Sequence, residues 1–233
     1  MTMTLRPADA RFHGQHGWLD SRHSFSFAEF HDPNHMGFRA LRVINDDWIA
    51  PGAGFPTHPH RDMEILTYVT EGGVEHQDST GGHGITVRGD VQAMTAGTGV
   101  RHSEFNASAT EPLRLLQIWI LPEARSLTPG YRQARFDDAD KRDRLRLIAS
   151  RDGRDGSVVL HQDVAIYASV LSAGSSLGHS LAPGRGAWIQ MVRGRIQANG
   201  TPLVQGDGAA LEHMTEIMIQ AEEDSEFLLF DLG

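Results

Sequence analysis

Two short runs of metal-capable side chains constrain this chain more than any other feature. They are Thr57-His58-Pro59-His60 and Arg101-His102-Ser103-Glu104. In each run two ligand-type side chains stand two positions apart, and on a β-strand such residues point to the same face. Two strands of this kind brought together converge three imidazoles and one carboxylate on one point. The chain must therefore place both runs as strands of one β structure, and the convergence points to a metal centre and to an enzyme.

The rest of the sequence reads as strands as well. Leu41 to Asn45, Ile65 to Val69 and Leu113 to Leu121 are strand-like, the last apolar on both faces as a buried strand requires. Gly72-Gly73, Gly81-Gly82, Gly89-Asp90, Gly97 and Gly99 punctuate them, and short strands with frequent turn signals indicate a sandwich or barrel. Leu145 to Ile148, Val158 to His161, Ile166 to Leu171, Trp188 to Val192 and Phe227 to Phe230 repeat this grammar. Gly194 answers Gly72, and Gly206-Asp207 answers Gly89-Asp90. The period is far longer than that of a solenoid, so the reading is a duplicated barrel in two domains. The polar stretch from Pro129 to Asp143 is expected to be the join, with one or two helical turns at its charged end.

Composition narrows the function. The 233 residues are 39% hydrophobic and 22% charged, as in ordinary soluble domains, with a formal net charge of -9. That charge disfavours direct nucleic-acid binding and an anionic membrane surface, which call for a basic face. Cysteine is absent, so any metal must be held by histidine and carboxylate. No stretch has the length of a signal peptide's apolar core or of a membrane span, and a cytoplasmic location is the expectation.

The flanks of the two runs are similar to the two cupin motifs, G-x5-H-x-H-x3,4-E-x6-G and G-x5-P-x-G-x2-H-x3-N, through Gly52, His58, His60, Glu64 and Gly72, and through Gly89, Gly97, His102 and Asn106. Thr95 replaces the motif proline, and the Glu64–Gly72 and Gly97–His102 gaps are longer than the motif allows. Three stretches, HGWLDSRHSFSFAEFHDPNHMGFRALRVINDD (16–47), HPHRDMEILTYVTEGGVEHQDS (58–79) and MTAGTGVRHSEFN (94–106), resemble the pirin family, and in particular bacterial pirin-like bicupins of the quercetin 2,3-dioxygenase type.

The resemblance implies an all-β bicupin: two tandem cupin barrels (double-stranded β-helix, jelly-roll) with short helices. Residues 1–132 would form the N-terminal cupin domain with the metal site, and 133–233 a C-terminal cupin domain without one. It implies that His58, His60, His102 and Glu104 hold one divalent cation, iron first among Fe, Mn, Co, Ni, Cu and Zn, with Glu104 also the catalytic base. The implied partners are a flavonol such as quercetin, cleaved at the ring with release of carbon monoxide, and dioxygen. The alternative is a metal- or redox-sensing pirin that binds and regulates a protein partner. Glu64 stands either beside the site or in a structural ion pair. Phe25, Phe27 and Phe38 are read as core, and the other histidines, His76 and His161 included, as hydrogen-bonding or surface residues. Aligning Gly194 with Gly72 puts Ser180 and Ala182 where His58 and His60 stand, with His179 on the opposite face.

Overall fold

The computed structural model describes residues 2–233. It is all-β apart from one short α-helix and two 3-10 turns, and it divides into two compact units. The first unit comprises Phe12–Arg135 and Val158–Gln162; the second comprises the residues up to Arg11, Phe136–Ser157 and Asp163–Gly233.

The first unit sets a seven-stranded antiparallel sheet against a four-stranded one. The larger sheet runs in the order Gly130–Arg135, Asp90–Thr95, Glu64–Glu71, Leu113–Ile120, Leu41–Ile49, Leu19–His23 and Phe12–Gln15. The smaller runs Gly54–His60, Val100–Asn106, Gly73–Asp78 and His83–Val87. Leu113–Ile120 lies between Glu64–Glu71 and Leu41–Ile49, which explains why its sequence is apolar on both faces.

The interior of this barrel is not a continuous apolar core. Ile49, Val69, Val74, Leu113 and Leu115 form one buried cluster, and Ile65, Met94, Ala96 and Val100 another. Cross-strand register places a polar row between them: Gln92 faces Thr67, Thr67 faces Gln117, and Gln117 faces Asn45. Gly54 permits the smaller sheet to close here, because a Cβ on it would lie 2.2 Å from the Glu104 carbonyl oxygen.

The second unit repeats the plan. Its larger sheet contains Thr2–Arg6, Gly208–Glu212, Gly186–Arg193, Ser225–Leu232, Val164–Leu171 and Arg146–Ser150 in that order, and its smaller sheet Ser176–Ser180, Glu216–Ala221, Arg195–Ala198 and Thr201–Val204. The duplication extends to single hydrogen bonds. Asp90 Oδ2 accepts from the Val87 amide at 3.1 Å, and Asp207 Oδ2 accepts from the Val204 amide at 2.9 Å. Gly72 and Gly194 both turn with positive φ, 73° and 78°. Here, however, one apolar cluster that includes Leu171, Ile189, Met191, Ile217, Phe227 and Leu229 fills the interior.

Three details depart from the sequence reading. The N-terminal strand Thr2–Arg6 pairs with Gly208–Glu212 in the second unit rather than joining the first. Within the expected join, Gly130–Arg135 pairs with Asp90–Thr95 as an edge strand of the first unit. Only Asp138–Lys141 is helical there, closed by a capping box between Asp137 and Asp140. His179 lies on the same face as Leu177, which packs on the core, and not on the opposite one. The connection at 181–185 is two residues longer than that at 61–63, so counting back from Gly194 does not carry the strand pairing of the first unit into the second.

Candidate metal centre

Strand pairing explains how the two runs meet. Gly54–His60 and Val100–Asn106 are antiparallel neighbours, with His102 directly opposite His58. A bulge separates His102 from Glu104 on that side, whereas the other neighbour continues in register, with His102 opposite Asp78 and Glu104 opposite His76. His102 and Glu104 therefore point inward together, each 2% exposed. His58 and His60 are half-buried at the rim.

The three imidazoles crowd together. Ring centroids lie 4.7 Å apart for His58 and His60, 4.5 Å for His58 and His102, and 4.8 Å for His60 and His102. His58 Nδ1 lies 2.8 Å from the Pro56 carbonyl oxygen. A carbonyl only accepts, so Nδ1 carries the proton and Nε2 presents a lone pair. That Nε2 is 3.0 Å from His102 Nε2. Two nitrogens bound at about 2.1 Å and at right angles around one cation stand about 3.0 Å apart.

Burial, followed by the neighbouring His58, lowers the His60 pKa to about 4; burial, followed by His60 and His58, lowers that of His102 to about 2. Both rings are neutral near pH 7, the form that ligates a metal. His102 turns its Nε2 toward His58 Nε2, which places that nitrogen for a shared cation; its Nδ1 is buried without a hydrogen-bond partner.

Glu104 reaches across from the smaller sheet to the polar row of the larger one. Its Oε2 accepts from Gln117 Nε2 at 2.7 Å, and its Oε1 from Thr67 Oγ1 at 3.3 Å and Gln92 Nε2 at 3.4 Å. Burial raises its carboxyl pKa despite these donors and the nearby His76 and His58. Ligand atoms of His58, His60 and His102 lie within 4.8 Å of one another, as do those of His76, His102 and Glu104. The donor set, three imidazoles and a buried carboxylate, fits a divalent first-row cation.

His76, read from the sequence as an ordinary hydrogen-bonding residue, is completely buried beside the centre. Its Nε2 pairs with Asp78 Oδ2 at 3.0 Å, its Nδ1 with Gln92 Nε2 at 3.2 Å, and its ring stacks on Tyr131. With both nitrogens engaged it buttresses the carboxylate and does not compete for a cation. Glu64 turns away from the cluster. Its Oε2 accepts from Thr95 Oγ1 at 3.0 Å and from the His161 amide at 3.2 Å, with the His161 ring at 3.4 Å. Thr95, the residue in the motif proline's place, is thus a partner of Glu64. Asn106 ties loop carbonyls of Ile49, Ala50 and Glu111 together. Phe25 is core, but Phe27 is half-buried and packs edge-on against Trp119 at 5.2 Å.

Comparison with known proteins agrees with this geometry. The pirin family profile matches residues 6–120, and a quercetinase C-terminal cupin domain profile matches residues 147–232. A quercetin 2,3-dioxygenase of Escherichia coli (strain K12) is 53% identical over 228 residues, 98% of this chain and 97% of that protein. The chain belongs to the pirin family.

A pirin-like protein of Caulobacter vibrioides is 40% identical over 97% of each chain. The crystal structure of the bacterial pirin YhhW from Escherichia coli in complex with nickel(II) superposes on this pirin with a TM-score of 0.95 and 52% identity, covering 99% of both chains. The expected bicupin architecture and quercetin 2,3-dioxygenase-like class therefore hold for this chain, and its centre is one for a divalent metal.

Proposed function

We propose that this pirin is a metal-dependent quercetin 2,3-dioxygenase that opens the central ring of a flavonol with dioxygen and releases carbon monoxide. The reading is supported by the cluster of His58, His60 and His102, with the buried, hydrogen-bonded Glu104 carboxylate beside His102. His58, His60, His102 and Glu104 would hold the cation, iron first. When bound, it supplies a Lewis acid for the 3-hydroxyl and 4-carbonyl oxygens of the flavonol and a redox partner for dioxygen chemistry.

Glu104 takes the 3-hydroxyl proton on a carboxylate oxygen. Gln117, Thr67 and Gln92 hold the carboxylate in place before and after the transfer, and His76 closes the space behind it against water. No helix of the described residues is long and apolar enough to cross a membrane, and a cytoplasmic site of action is part of the proposal.

Elemental analysis of the purified protein, combined with aerobic and anaerobic flavonol assays, tests it. Glu104→Ala is expected to abolish oxygen-dependent cleavage and to lower metal content. Full turnover with full metal content in that variant refutes the assignment. Metal-replete wild-type protein without oxygen-dependent turnover refutes the dioxygenase and leaves the sensing alternative.

A further inference from the structure

Beside the metal centre the barrel holds two buried polar atoms that bond to nothing. Trp119 Nε1 and Asn45 Oδ1 have no hydrogen-bond partner, and Asn45 is only 3% exposed. An unsatisfied buried donor or acceptor costs about 1–3 kcal/mol, so two of them close together call for an explanation.

Both lie on the face that carries the centre. Gln117 is directly opposite Asn45, and Trp119 is opposite Val43 on the same pair of strands. Asn45 and Trp119 are therefore diagonal neighbours, a spacing that large side chains bridge. Gln117 donates to Glu104 from this face, and the Trp119 ring packs edge-on against His60 at 4.9 Å. The side chains around the two orphans are partly exposed. Along Leu113–Ile120, a strand flanked on both sides, only Gln117 and Trp119 are less than fully buried, and Phe27 across from Trp119 is half-exposed too.

One orphan is a donor only; the other is an acceptor. The group that satisfies both at once is a hydroxyl, which accepts from the indole N–H and donates to the amide oxygen. It also suits the opposite orientation of the Asn45 amide, by offering its lone pair to the NH2. A hydrogen or a methoxyl on the ligand leaves at least one orphan unmatched.

We propose that Trp119 and Asn45 form a specificity subsite that recognises a ring hydroxyl of the substrate, separate from the 3-hydroxyl and 4-carbonyl pair assigned to the metal. This rests on the flavonol reading and sharpens it: the substrate class is a polyhydroxylated flavonol, selected over 3-hydroxyflavone, which keeps the chelating pair and has no other hydroxyl.

The experiment compares dissociation constants of quercetin and 3-hydroxyflavone on metal-loaded, full-length protein under nitrogen, by calorimetry, in wild type, Trp119→Phe and Asn45→Ala. Phe keeps an aromatic ring at 119 and removes the N–H. Wild type is expected to favour quercetin by about tenfold, the effect of one hydrogen-bonded hydroxyl, and each variant to bring the ratio close to one. A change in packing around His60 shifts both ligands together and leaves the ratio unmoved.

A wild-type ratio preserved in both variants overturns the subsite and shows that the two orphans meet only water. If aerobic turnover persists alongside that result, the dioxygenase reading survives it. Failure of wild type to bind either flavonol overturns both.

Discussion

Asp47 provides a stringent test of the buried polar interior. It sits on Leu41–Ile49 opposite Ser21 and is 3% exposed. Its carboxylate accepts the Ser21 hydroxyl, and that hydroxyl lies 2.8 Å from His23 Nε2. Burial pushes its pKa to about 7; the Ser21 bond opposes this, and the neighbouring charges of Asp46 and Glu104 add to it. An unfolded aspartate titrates near 3.9. The folded state therefore favours the protonated acid, and its stability falls as pH rises from about 4 and levels off above about 7.

At about 1.4 kcal/mol per pKa unit, the penalty is about 1–2 kcal/mol at pH 5 and about 4 kcal/mol at pH 8. Asp47→Asn keeps an acceptor for Ser21 and has no charge to bury. The stability of the variant relative to wild type should therefore rise by about 3 kcal/mol between pH 5 and pH 8. Urea unfolding of both proteins at several pH values, followed by tryptophan fluorescence, measures this; a chelator present throughout removes proton-linked metal release. Parallel stability profiles for the two proteins across that range would refute the assignment of a protonated, buried Asp47.

Two more predictions concern the walls of the barrels. Gly54→Ala should destabilise the protein by about 2–3 kcal/mol and weaken metal retention, because the added methyl meets the backbone of Glu104 and Phe105; melting temperature and bound metal after dialysis report the two effects. In the second unit Asp231 bonds His179 at 2.9 Å and Arg185, and these partners hold its pKa below the usual carboxylate range although burial acts to raise it. Asp231→Asn should lose about 3 kcal/mol at pH 7, and the gap to wild type should narrow as pH falls below 4, since the contribution of a depressed carboxylate disappears on protonation. A gap that stays constant down to pH 3 would refute it.

Some of this was legible in the sequence. The i, i+2 spacing of His58, His60, His102 and Glu104 depends only on strand parity; the three imidazoles cluster, and Glu104 bonds the polar row beside His102. Gly72 with Gly194 and Asp90 with Asp207 announced the duplication, because a turn needs its glycine and its aspartate at fixed offsets whatever the rest of the barrel does. The polar row was not legible. Gln92, Thr67, Gln117 and Asn45 look unremarkable one at a time, and only the register of strands far apart in sequence aligns them with Glu104. Glu64 was ambiguous for the same reason, since its partner His161 lies in a segment that returns to the first unit. His179 was misjudged because the face a strand residue takes depends on the path of the connection leading out of that strand, and one glycine landmark does not reveal that path.

The interleaving of the two units bears on how the molecule is made. Residues 12–135 can begin to collapse while the remainder is still being synthesised, yet Glu64 stays without its His161 partners until the chain has passed 161. Meanwhile the strand Thr2–Arg6 must wait for Gly208–Glu212, about 200 residues further along the chain. Until the two strands pair, Gly208–Glu212 has a bare edge on one side, the kind of surface on which chains join one another. Thr2–Arg6 thus serves as a late fastening, and its loss would be felt first in soluble yield, since it belongs to the unit that does not carry the metal centre.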